Sequence, residues 1–415
     1  MFSSLRQKTD LFFTFLEEVA ILSSAKETMS QKLRDVYLDH AAATYLDPRV
    51  QAIMEGYWQE SFGNPSSLYR LGRMSKEALE ASRTTIAHVL HSEPGEIIFT
   101  SGGTESNNLA ILGVCKAWEA AHPDTAKPHL ITSAIEHQSV LNVCKQLELT
   151  GYTVTYLPVD TNGLVDPKTL AEAIRADTIM VSIMYANNEV GTVQPIAELV
   201  ASCKAKSIYF HTDACQAAGA LPLDVQKLGV DLMTINGSKI YGPKGIGLLY
   251  VKQGVKIRPL LQGGGQEKGL RSGTENIPAI VGLAKALELI SQEKKSENER
   301  LTDLRDYFAR ELALRIPDIK FNGHVIKRLP NNLNVTIPGI DGESFILLAD
   351  QAGIACATGS ACDTATDDPS HVLLALGLNT ESAQASIRFT LGRRTSKTDL
   401  EYVIRQTEAI VSRLR

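Results

Sequence analysis

Features that mark a secreted, membrane-spanning or nucleic-acid-binding chain are scarce in this sequence. Only six of its 415 residues are cysteine (115, 144, 203, 215, 356 and 362), they lack paired spacing, and none forms a CxxC. That scatter reads as a reducing compartment and argues against a disulfide framework or a zinc ribbon. Cys356 and Cys362 are the nearest pair, and the five residues between them fall outside structural-zinc spacing. The apolar stretch LFFTFLEEVAIL (11–22) is interrupted by Glu17 and Glu18, and at 12 residues it is too short to span a bilayer. No small-residue cleavage site follows it cleanly, and Asp10 with the two glutamates speaks against a transit peptide. Residues 1–34 are therefore expected to be an extension outside the folded core, with Met29 as an alternative start, and the chain to be cytoplasmic with no membrane partner. Basic charge is not in excess. The 42 Lys and Arg against 47 Asp and Glu leave a net charge of −5, which offers nucleic acid no general attraction. Repeats and low-complexity tracts are also missing, and 44% hydrophobic residues with 30 glycines describe a globular chain with a large core.

From about residue 35, short β-branched runs alternate with stretches of helical length, the pattern of β/α units around a mostly parallel sheet. EIIFT (96–100), HLITSA (129–134), TVTYLPV (153–159), TIMVSIMY (178–185), IYFHTDA (208–214) and GIGLLYV (245–251) read as strands. Helices are expected near 104–120, 138–150, 167–176 and 194–206. TIMVSIMY carries apolar residues in succession, so it should be a central strand covered on both faces. Composition changes near 291, where SQEKKSENERLTDLRDYFARELALR gives a long charged helical pattern, followed by NNLNVTIP, a helix near 343–352 and a closing strand SIRFTLG. The expected division is a large domain over 51–291 and a smaller α+β domain built from 35–50 and 292–415.

Three segments could carry chemistry. SGGTESNN (101–108) lies between a strand and a helix; its glycines leave N–H groups uncovered where a helix start favours an anion, although an ordinary helix N-terminus looks the same. It matches neither a Walker loop nor a dinucleotide fingerprint. HTDACQ (211–216) ends a strand that should be buried, so Asp213 needs a partner there. It either caps the following segment or holds a proton on a heterocyclic nitrogen. INGSKIYGPKGIG (235–247) sets Lys239 among glycines at an apolar strand edge, where desolvation would ready it for a Schiff base with an aldehyde. Asn236 and Ser238 beside it offer phosphate donors, a solvated loop lysine is the plainer alternative, and Lys244 is its competitor.

Taken together, an acid at a strand end, a lysine 26 residues later and a glycine-rich helix start more than a hundred residues earlier suit pyridoxal phosphate. His137, just past HLITSA, could lie flat on its ring or be structural. SGGTESNN, AIEHQS, NNEVGTVQ, HTDACQA, NGSKIYGPKGIG, GGGQEKGLRSGT and GSAC together resemble the cysteine desulfurases of the class-V aminotransferase family, over about residues 36–412. The resemblance implies the fold type I of pyridoxal-phosphate-dependent transferases, with a large domain around a mostly parallel central sheet and a smaller α+β domain. It implies a homodimer that converts L-cysteine to L-alanine and leaves the sulfur as an enzyme persulfide.

By the same resemblance Lys239 is the Schiff-base lysine, Asp213 the partner of the ring nitrogen, and His137 the residue stacked on the ring. Asn188 and Gln216 would reach the ring hydroxyl side; Gly103 and Thr104 would bind phosphate, with Asn236 and Ser238 nearby and Thr274 contributed across the dimer interface. Arg388 would clamp the substrate carboxylate. Cys362, in a small and polar segment that reads as a mobile loop, would be the sulfur carrier; Cys356 reads as core packing. No metal is required, though Cys362 could transiently ligate an iron–sulfur cluster. The long spacer from GSAC to PSH resembles the first desulfurase group, which delivers sulfur to a separate acceptor or iron–sulfur scaffold protein. Two positions depart from the family: Ser238 stands where histidine is common and Asn236 where serine is frequent, which puts the strength of cofactor binding in doubt. The sequence stops at SRLR, without the further tail some members use for scaffold contact. Selenocysteine lyase, another class-V enzyme, and a sulfur-delivery protein with weakened catalysis are the competing expectations.

Overall fold

The parallel-sheet pattern of the sequence is realised in the computed structural model, which describes residues 35–204, 206–359 and 368–415. In chain order the strands are β1 (Val36–Tyr37), β2 (Ile97–Thr100), β3 (His129–Ser133), β4 (Thr153–Leu157), β5 (Thr178–Ser182), β6 (Tyr209–Asp213), β7 (Leu232–Asn236), β8 (Gly247–Val251), β9 (Lys320–Asn322), β10 (Asn332–Thr336), β11 (Ile354–Ala355) and β12 (Ser386–Thr390). Seven form one sheet in the order β2-β8-β7-β6-β5-β3-β4; β8 runs antiparallel to both neighbours, and β7, β6, β5, β3 and β4 are parallel.

Side chains alternate across this sheet. Ile131, Val181, Met233 and Ile235 join one core, with helices Arg70–Leu90 and Ile196–Lys204; Leu130, Met180 and Leu232 join another, with helices Gly103–Ala121 and Gln138–Leu149. Both faces are thus covered, as the unbroken apolar run of β5 requires. That strand ends at Ser182, short of the expected Tyr185, although Ile183 and Tyr185 still donate N–H bonds to His211 and Asp213 of β6.

A further core gathers around the antiparallel sheet β12-β10-β9, where Leu333, Val335, Ile387 and Phe389 pack against Phe308, Leu312 and Leu400. β1 pairs in parallel with β11, so the first described strand belongs with this C-terminal core. The composition change near 291 is not a break in the chain. Ile277–Arg315 is one helix of 39 residues, started by the Asn276 side chain on Ala279 N–H and by Pro278 in its first turn. Its first turns lie in the sheet core and Leu301, Phe308 and Leu312 in the second. The charged stretch begins with the helix's solvent-facing middle, 291–300, and continues to its end, while the helix itself begins in an apolar run. Among the described residues no helix is long and apolar enough to cross a membrane.

Candidate active site

The parallel strands all deliver their C-terminal ends to one edge of the sheet, the place where open α/β sheets hold ligands. β6 ends in Asp213, β7 in Asn236, and β3 and β5 lead into the loops that carry His137 and Asn188. A cavity of about 230 Å³ opens there, and Gly103, Thr104, His137, Asn188, Asp213, Gln216, Asn236, Lys239 and Arg388 all line it.

Helix Gly103–Ala121 presents its first turn to this cavity with no side chain capping it. Gly102 supplies the turn at φ 155°, a conformation other residues rarely adopt, and a Cβ on Gly103 would stand 2.8 Å from Cys215 Sγ. An uncapped helix start of this kind is an anion site. Glu105, in the same turn, does not compete, since it accepts from Ser101 N–H (2.7 Å) and Arg271 (2.9 Å). Although burial pushes the other way, Arg271 and Ser101 hold its carboxyl below the usual range.

Asp213 is buried at the end of β6, where Oδ1 accepts the N–H of Cys215 (2.9 Å) and Oδ2 the side-chain amide of Asn107 (2.7 Å). Burial raises the neighbouring Cys215 thiol well above its ordinary pKa. Lys239 ends a 3₁₀ turn, Gly237–Lys239, that Asn236 caps by accepting Ser238 N–H (2.9 Å), and its Nζ donates to the carbonyl of Ala42. Lys244, its competitor, does not line the cavity, and its Nζ lies 3.4 Å from the carbonyl of Thr44. His137 caps helix Gln138–Leu149 through Nδ1, which accepts Ser139 N–H at 3.1 Å. Gln216 donates to the Ala41 carbonyl (2.9 Å). Arg388 comes from the other sheet, on β12; it is only 1% exposed, pairs with Asp39 (2.7 Å) and donates to the carbonyl of Asn188 (3.2 Å).

Ser238 and Thr274 do not line the cavity. The carbonyl of Ser238 accepts from Thr44 N–H and Oγ1, and Thr274 is exposed on the surface. Cys362 lies outside the described residues. On either side of it, Ala357 exchanges backbone hydrogen bonds with the cavity residue Arg388 (3.2 and 2.6 Å), and His371 Nε2 donates to the carbonyl of Glu136, next to His137 (3.0 Å). Cys356 packs in the C-terminal core, where burial pushes its thiol up. Sequence reasoning missed Asn107, Ser139, Asp39 and Cys215. Asn107 could have been found from helical spacing, since it sits four residues after Gly103 in SGGTESNN.

The donor set fits pyridoxal phosphate: an amine for the aldehyde, a carboxylate for the ring nitrogen and an uncapped helix start for the phosphate. Two lining residues also keep a buried polar atom with no protein partner, Oδ1 of Asn107 and Nε of Arg388. Among the described residues no cluster of three potential metal ligands occurs.

Residues 36–403 match the family Aminotransferase class-V. A protein named cysteine desulfurase IscS from Dictyoglomus turgidum is 50% identical over 382 residues, covering 92% of this chain and 96% of its own length. Another of that name, from Methanosarcina thermophila, is 48% identical over 397 residues, covering 96% and 97%. The solved structure of a NifS-like protein superposes with a TM-score of 0.85 at 36% identity, covering 91% of this chain and 100% of the other.

Proposed function

The chain belongs to the class-V aminotransferase family and is a cysteine desulfurase, and from that premise we propose how its residues do the work. Members of the family depend on pyridoxal 5'-phosphate, and the cavity around Lys239 is where this chain would hold it. Once bound, the cofactor supplies an aldehyde that captures amines and a ring that draws electrons from the amino-acid Cα. Gly103 and Thr104 would hold the phosphate, with Asn236 beside them and Thr274 reaching in from the second copy of a homodimer. Asp213 would accept from the protonated ring nitrogen, His137 would serve the ring, and Asn188 and Gln216 its hydroxyl.

Arg388 takes the carboxylate of L-cysteine with its fork of donors. Lys239 Nζ removes the Cα proton. The thiolate of Cys362 then attacks the substrate sulfur: the Cβ–S bond breaks, an S–S bond forms, Cβ takes up a proton, and Cα regains the proton that Lys239 removed, leaving L-alanine. The sulfur stays as a persulfide on Cys362 and passes to a sulfur acceptor or iron–sulfur scaffold protein in the cytoplasm. One observation carries this reading: Lys239, Asp213, Arg388 and an uncapped helix start converge on one cavity although they come from four separate parts of the chain.

Assay of alanine formation from cysteine, alongside borohydride capture of the cofactor, tests it. Lys239→Ala is expected to lose the borohydride-captured cofactor, and Cys362→Ala to keep it while releasing no sulfide in the presence of reductant. Capture that persists without Lys239, or sulfide release that persists without Cys362, contradicts the assignment.

A further inference from the structure

We propose that Asn107 is a positioning residue that clamps Asp213 for the cofactor's ring nitrogen and, through the Ser139 hydroxyl, buttresses His137. The inference rests on the pyridoxal-phosphate reading above. Asn107 lies in the first turns of helix Gly103–Ala121, three residues past Thr104 and four past Gly103, and so on the same helix face as the anion site. Asparagine is a weak helix former and a buried amide is costly without partners. Here the side chain is wholly buried and spends both Nδ2 hydrogens, one on Asp213 Oδ2 (2.7 Å) and one on Ser139 Oγ (2.8 Å).

The rest follows by counting hydrogens. Ser139 Oγ accepts from Asn107 and lies 2.8 Å from His137 Nδ1, and because that nitrogen accepts a backbone N–H the hydroxyl is the donor of this pair. The backbone N–H of Ser139 donates to that same nitrogen at 3.1 Å. A ring nitrogen that accepts carries no proton, so the proton of His137 sits on Nε2. On the other side, Asp213 takes one donor on each oxygen, Cys215 N–H and Asn107, which fixes the plane of the carboxylate. Turning the amide over would set two acceptors, Asp213 and Ser139, against an acceptor. The orientation is therefore kept even though Asn107 Oδ1 has no protein partner where the residue lines the cavity. One helix thereby links the phosphate end of the cavity to the ring-nitrogen end.

A purely structural tie between helix and strand would show the same hydrogen bonds, and the two are separated by a ligand that lacks the ring nitrogen. The full-length chain, stripped of cofactor, is titrated with pyridoxal phosphate and with its 1-deaza analogue. Asn107→Leu keeps the volume and removes the donors, with Asn107→Ala in reserve should leucine not fold, and the thermal midpoint is recorded for each. The expected result is a loss of about tenfold in affinity for pyridoxal phosphate and about twofold or less for the analogue, the scale of one hydrogen bond to a charged group. Ser139→Ala, which removes the hydroxyl between Asn107 and His137 and leaves the Asn107–Asp213 bond, is expected to weaken both ligands alike. Equal losses for both ligands in the Asn107 variants overturn the proposal, as does a selective loss with Ser139→Ala. A wild-type chain that binds both ligands equally removes the nitrogen contact on which the proposal rests; one that binds neither overturns the cofactor reading itself.

Discussion

Glu136 sits behind His137 with its carboxyl buried, accepting Met184 N–H on both oxygens (2.9 and 3.1 Å) and the hydroxyl of Ser133 (2.6 Å). Burial, opposed by those bonds and aided by the charge on Asp213, pushes its carboxyl from 4.5 up to about 8. An unfolded chain gives up this proton near 4.5 while the folded one keeps it until about 8. The stability it contributes is therefore full below pH 4.5 and is lost as pH rises through 8. Glu136→Gln should flatten the fall in thermal midpoint between about pH 5 and pH 8; melts of both proteins at the two ends, if they show the same drop, refute it. For Arg388, lysine keeps the charge but loses the fork, so Arg388→Lys is expected to raise KM for cysteine about tenfold or more, with kcat changed less. Steady-state kinetics checks this, and an unchanged KM would remove Arg388 from the substrate carboxylate. At this scale the residues with a chemical demand were legible in sequence: an amine, an acid and an uncapped glycine turn are rare companions. Asn107 and Ser139 were not, because their value lies in hydrogen bonds between a helix, a strand end and a loop more than thirty positions apart.

The segment GGGQEKGLRSGT is held by elements it does not adjoin in sequence. Glu267 accepts both guanidinium donors of Arg83 (3.0 and 2.8 Å) and the N–H of Phe99 on β2 (2.8 Å), all of them buried. Glu267 and Lys268 take left-handed backbone conformations, φ 46° and 60°, which non-glycine residues adopt at a cost. Glu267→Ala takes from the buried Arg83 its two-pronged counter-charge and leaves only the more exposed Glu80 at 3.3 Å, so a loss of about 3 kcal/mol is expected in denaturant unfolding. A loss under about 1 kcal/mol would mean that the loop holds its shape without the pair. Elements of the sheet were readable because their β-branched runs match the period of a covered strand. Helices Pro48–Gln59, Arg70–Leu90 and Lys397–Leu414 were not foreseen, although Asp47 before Pro48 and the Ser396–Asp399 capping box announce two of them. The start of Ile277–Arg315 hid in an apolar run, where burial on several sides erases the helical stripe.

The whole molecule turns on that helix. We propose that the chain divides into a large domain and a smaller one formed by 35–50 and 292–415, with the boundary inside a continuous helix instead of a linker. Two cores that share a rod should melt together. Ser296 is exposed near its middle, so Ser296→Pro removes a helical hydrogen bond and kinks the rod without touching either core, at about 3 kcal/mol or more. Calorimetry is expected to show one transition in the wild type and two in the variant; a single transition in both would mean the cores are bound chiefly through their other contacts, among them the hydrogen bonds of Arg388 to the Asn188 carbonyl and of Asn332 to the Glu189 carbonyl.

A stiff helix of 39 residues, about 59 Å from end to end, is also a lever. Tilting it by about 2° around its middle carries each tip by about 1 Å, the scale at which misplacing a group costs an enzyme roughly a hundredfold in rate. Lys239 and Asp213 ride with one arm and Arg388 with the other, so a load applied far out on the C-terminal core, by a docked acceptor for instance, would be felt as the distance between amine and guanidinium.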